Sequence, residues 1–102
     1  MGYRTLDGVI EELKKRGFVE RFDVRGGRLR ALGSGRAFDA GDLTIREYQR
    51  FEGASDPDDA SIVYAIETRD GTKGLLVDAF GPYANPDVGR LLETVEIQEG
   101  AR

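Results

Sequence analysis

Two tight-turn dipeptides, each placed among residues that alternate between two faces, constrain this 102-residue chain most. Gly26-Gly27 lies between Arg25 and Arg28, and Asp70-Gly71 follows the segment SIVYAIET. A two-residue hairpin loop needs positive φ at its centre, which Gly adopts without steric cost and Asp tolerates. Before the first turn, Phe18, Glu20, Phe22 and Val24 alternate with Val19, Arg21 and Asp23. Before the second, Ile62, Tyr64 and Ile66 alternate with Val63, Ala65 and Glu67. Period two places alternate side chains on opposite sides of a strand, so two hairpins are predicted: one over 18–32, one over 61–80.

Other elements follow from local chemistry. Leu6, Val9, Ile10 and Leu13 share one side of a helix predicted over 5–17. Thr5 caps its start, Lys14, Lys15 and Arg16 complement its C-terminal dipole, and Gly17 stops it. Residues 43–52, LTIREYQRFE, form a strand whose parity is repaired by a bulge near Glu47. Asn85 caps a short helix with Pro86 at its first position. Residues 33–42, GSGRAFDAGD, read as a mobile connection. The expected architecture is one α+β domain over 1–102. It has an antiparallel sheet of about five strands, an N-terminal helix, a short C-terminal helix and a frayed tail at 98–102. The helices are expected to cover one face of the sheet.

Composition narrows function further. The chain has no Cys, His or Trp. This argues against thiol, haem, zinc and imidazole chemistry, and no cofactor is expected. No apolar run approaches a membrane span, so no membrane partner and a cytoplasmic location are expected. Net charge is −4, divided unevenly: residues 1–50 hold 11 basic and 8 acidic groups, residues 51–102 hold 4 and 11. Segment 14–36 contains eight basic residues against two acids, with Phe18 and Phe22 interleaved. Nucleic-acid binding is not favoured: the whole chain is acidic, and both Phe side chains are expected in the core.

The stretch RFEGASDPDDASIVYAIETRDGTKGLLVDAFGPY, residues 50–83, resembles a family of small bacterial proteins that carry the label phosphoribosylpyrophosphate synthetase. The matching blocks are Arg50–Gly53, Ser55–Asp59, Tyr64–Ile66, Gly71–Gly74 and Val77–Gly81, with departures at Ala54, Asp56 and Phe80. The resemblance implies a small α+β protein whose biochemical role does not follow from that label. A synthetase of this kind needs two nucleotide-type domains, roughly three times this length. It also needs an acidic pair running into a Thr-Gly phosphate loop, whereas Val77-Asp78-Ala79-Phe80-Gly81 has one acid and no Thr.

Arg50, Glu52, Asp78 and Tyr83 form the candidate ligand-binding constellation. Strand interiors are depleted in Asp, so Asp78 needs a partner. Arg50 is one choice; turn N–H groups are the other. Asp56, Asp58 and Asp59 are a weaker metal candidate through oxygen ligation, although Asp and Pro build turns without any ion. Ser34, Ser55 and Ser61 have no His to activate them, and no catalytic residues are assigned. The reading is a small, non-enzymatic binding or interaction domain with a protein partner or a homodimer contact. The alternative is a small-metabolite or divalent-metal site around Arg50, Glu52 and Asp78.

Overall fold

A computed structural model describes residues 5–51, 61–79 and 84–97. The chain order is α1 (Leu6–Lys15), β1 (Glu20–Arg25), β2 (Arg28–Ala31) and β3 (Ala37–Phe38). A 3-10 turn (Ala40–Asp42) leads to β4 (Leu43–Phe51), β5 (Ser61–Thr68), β6 (Lys73–Ala79), α2 (Pro86–Leu92) and β7 (Glu96–Ile97). These strands form one sheet in the order β3-β2-β1-β6-β5-β4-β7.

The helix ends obey local rules. Thr5 Oγ1 accepts the Gly8 N–H at 3.0 Å, and Asn85 Oδ1 accepts the Asp87 N–H at 2.9 Å. At the end of α1, Gly17 takes φ +102°. The Gly17 N–H donates to the Lys14 carbonyl and the Phe18 N–H to the Leu13 carbonyl, both at 3.0 Å. This is a Schellman stop, and Phe18 packs in the same cluster as Leu13, as such stops favour. The first hairpin closes through the two-residue loop expected, with positive φ at Gly26 and Gly27; the second closes instead through three residues, Arg69-Asp70-Gly71, where Gly71 alone takes positive φ. The register of β4 on β5 slips between Ile45 and Glu47, where the sequence parity required a bulge.

Four expectations are corrected. The sheet is mixed rather than antiparallel: β1 pairs parallel with β6, and β4 parallel with β7. Among the described residues it has seven strands rather than about five, because two-residue strands at each edge pair through backbone groups and carry little sequence pattern. The segment 33–42 is structured, containing β3 and the 3-10 turn. The helices cover opposite faces rather than one. On β5 and β6, Val63, Ala65 and Leu75 pack with Val9, Leu13 and Phe18. Tyr64, Ile66 and Leu76 pack with Val88 and Leu91, together with Phe22, Val24 and Leu29. Phe18 and Phe22 are both buried, yet in different cores, since Phe18 belongs to the α1 stop and not to β1. The expected tail at 98–102 lies outside the described residues.

The junction between the two halves of the sheet is narrow. The β1–β6 ladder comprises Glu20 opposite Gly74 and Arg21 opposite Leu75. A Cβ built on Gly74 would stand 2.4 Å from the Glu20 carbonyl oxygen, so no side chain fits there without moving β1. Gly74→Ala is therefore expected to cost about 2 kcal/mol, as overpacking does. That corresponds to a melting temperature lower by roughly 10 °C. Gly89, inside α2, has nothing within 4 Å of an added Cβ. Gly89→Ala is expected to raise the melting temperature, by about 0.5–1 kcal/mol of recovered helix propensity. Thermal melts of both variants check the pair.

Candidate functional site

Strand register decides what the sequence left open about Arg50 and Asp78. Arg50 lies opposite Ile62 across β4–β5, and Ile62 lies opposite Asp78 across β5–β6. Directly opposed residues share a face, so Arg50 and Asp78 project on the same side. Two strand spacings, about 9.6 Å, separate them, with buried Ile62 between. Among the described residues Asp78 forms no ion pair with Arg50. Its Oδ1 accepts the Ala79 N–H at 2.8 Å, and its two oxygens take the Asn85 N–H at 3.2 and 3.3 Å. The carboxylate thus ties the end of β6 to the residue that caps α2. Glu52, Tyr83, Asp56, Asp58 and Asp59 lie outside the described residues.

The adjacent row on this face is Tyr48, Tyr64 and Leu76. The two tyrosine rings lie 6.3 Å apart, tilted by 41°. Burial, then the Asp78 charge, then Tyr48 push the Tyr64 phenol above its usual value of 10.0. The folded chain therefore holds this proton more tightly than the unfolded chain, a stabilisation present below pH 10 and lost as pH rises through the raised value. Neither tyrosine stood out in the sequence as more than a strand residue. Their adjacency follows from the register after the β4 bulge.

A second group surrounds the Asp70-Gly71 turn. Asp70 accepts the Thr68 hydroxyl and the Thr72 N–H, and Arg36 Nη1 pairs with it at 2.6 Å. Thr68 is the buried polar residue of the core. The Thr68 hydroxyl bond, then the Thr72 bonds, with Arg36 adding, hold the Asp70 carboxyl down at about 2. This tie carries the connection after β2 onto the β5–β6 turn, which is one reason residues 33–42 are ordered.

A third feature is an open cleft of about 540 Å³ between the Gly26-Gly27 turn and the Asp87, Arg90, Leu91 and Thr94 side of α2. Its charged groups, Asp87 and Arg90, stand 4.0 Å apart and are well exposed. The sequence offered only the turn signal at this point.

A fourth feature is the outer face of the β1–β2 hairpin. Arg21 shares its register row with Leu75, on the α1 side of the sheet. Asp23 opposes Arg30, and Arg25 opposes Arg28. All four arginines are exposed: α1 covers β5 and β6, and no described element packs over the hairpin on this side. The sequence showed the basic run but not that its arginines share a face. Among the described residues no group of three or more acidic, His or Cys side chains is placed to hold a metal ion. No described helix is long and apolar enough to cross a membrane.

The architecture defines an α+β protein with a mixed sheet and a helix on each face. No family model, curated protein or solved structure matches the chain.

Two outcomes test this description. Asp70 has a depressed folded value, so its stabilisation is full above the unfolded value near 3.8 and is lost as pH falls through about 2. Urea unfolding between pH 5 and pH 2 is expected to show a smaller loss of stability in Asp70→Asn than in the native chain. Separately, Asp78→Ala is expected to speed amide hydrogen exchange at Asn85 and across the first turn of α2, leaving β5 protected.

Proposed function

We propose that this chain is a small non-catalytic interaction domain whose binding surface is the exposed face of the β1–β2 hairpin. The supporting observation is the uneven covering of the sheet. Four arginines lie on one side of two strands, while the opposite side of the same strands is buried through Phe22, Val24, Leu29 and Ala31. Arginine is enriched in protein interfaces because its planar fork makes several directed bonds and packs well. The resemblance of residues 50–83 to the small bacterial family fits this reading, since the label of that family demands a phosphate loop this chain lacks. A protein partner, or a second copy, is the expected occupant.

A second reading rests on the shared face of Arg50 and Asp78. It assigns a small polar metabolite or a divalent ion to that face; Glu52 and Tyr83, which the sequence groups with it, lie outside the described residues. The hydrogen bonds that engage Asp78 favour the first reading, because both carboxylate oxygens already accept backbone N–H groups.

Site-specific photo-crosslinking in cells distinguishes the two. A photoreactive residue replacing exposed Leu32 is expected to give a discrete adduct, and one replacing Glu93, which follows α2, none. Loss of the adduct at 32, together with saturable amide shifts at Arg50 and Asp78 on titration with Mg²⁺ or phosphoribosyl compounds, would replace the first reading with the second.

A further inference from the structure

Four guanidinium groups on one sheet face specify the chemistry of what they bind. Arg25 and Arg28 oppose each other directly across the hairpin, an arrangement in which like charges repel. Arg25 leans on Asp23 at 3.4 Å and Arg28 on Asp39 at 2.9 Å, both exposed pairs of little strength. Arg21 and Arg30 form no ion pair among the described residues. The face therefore keeps a cationic surplus at a local cost to the hairpin, which is typical of a functional surface rather than of optimised strand pairing.

The neighbouring groups define the ligand further. Val19, 67% exposed, directly precedes β1. Leu32, 57% exposed, donates its N–H to the Arg21 carbonyl at 2.9 Å. Leu32 thus lies across from Arg21 at the end of the cationic row. Arg28 and Arg30 are two residues apart on one strand, which spaces their side chains by about 6.8 Å. Alternate side chains of an extended peptide have the same spacing.

Resting on the interaction-domain reading, we propose that this face binds an extended acidic polypeptide segment. Carboxylates at alternate positions meet Arg21, Arg28 and Arg30, and an apolar residue of the segment covers Leu32. Arg binds carboxylate through two parallel bonds, so each pairing fixes orientation as well as charge. The same observations disfavour a nucleic-acid strand. Phe18, Phe22 and Phe38 are buried in the cores, leaving no aromatic described on this face for bases to stack on.

The test uses the full chain and a ten-residue peptide with Thr at every second position and Glu at the others, one of these Glu positions being Leu so that it shares their side, followed by two-dimensional amide NMR. Saturable shifts are expected at Arg21, Arg28, Arg30 and Leu32. Arg21→Gln/Arg30→Gln is expected to weaken binding at least tenfold, Leu32→Ser about threefold, and Arg90→Gln on α2 less than twofold. The Arg21/Arg30 variant must keep the native spectrum elsewhere. Raising salt from 50 to 300 mM is expected to weaken binding while the Leu32 contribution persists. Three outcomes overturn the proposal: shifts at these arginines with oligouridylate but not with the peptide, shifts on raising the concentration of the protein alone, or no shifts with any probe. If the adduct at position 32 forms in cells while the peptide remains silent, the partner chemistry is wrong and the interaction reading stands. If that adduct is also absent, both fail.

Discussion

The rest of this structure depends on the contact between the Glu20 backbone and Gly74. The β1–β6 ladder has two residue pairs, and among the described strands it is the pairing that joins β1–β3 to the rest of the sheet. The approach is possible because Gly74 has no side chain, the Glu20 carbonyl oxygen occupying the space a Cβ would need. The Glu20 side chain adds to the joint: its Oε1 accepts the Arg21 N–H at 2.8 Å and the Gly33 N–H at 3.1 Å. One residue therefore holds β1 against β6 and the end of β2 against β1. Close backbone approach is a common reason for Gly inside a strand.

From that joint the two faces of the sheet have different fates. The Schellman stop turns the chain from α1 into β1 over residues 16–19, so α1 lies on β5 and β6 beside the joint, and no described element covers the hairpin on that side. On the opposite face, α2 packs Val88 and Leu91 against residues drawn from both halves of the sheet. The Asp78 carboxylate, which accepts the Asn85 N–H, links β6 to the start of that helix. One side of β1–β2 is thus core and the other is arginine.

Much of this was legible locally. The caps at Thr5 and Asn85, the Gly17 stop, the turns at Gly26-Gly27 and Asp70-Gly71, and the bulge near Glu47 each arise from a few adjacent residues. The candidate site was less legible. The need of Asp78 for a partner could be read from its place among apolar strand residues. That the partners are the Ala79 and Asn85 N–H groups depends on how the chain returns after β6. Residues 33–42 looked like a free connection because glycines dominate its start. Its order comes from the pairing of β3 on β2, the burial of Phe38 and the tie of Arg36 to Asp70.

The sequence by itself determined the kind of each main element and most of their ends, because capping, turn conformation and side-chain alternation are short-range effects. It also determined that these 102 residues supply no thiol or imidazole side chain. Only the tertiary structure decided that the sheet is mixed, that the helices lie on opposite faces, and that four exposed arginines share a side no described element covers. The reason is that strand order and face covering are set by which backbones can approach and which apolar surfaces meet. These are properties of residues far apart in the chain, such as Glu20 and Gly74, that no local pattern joins.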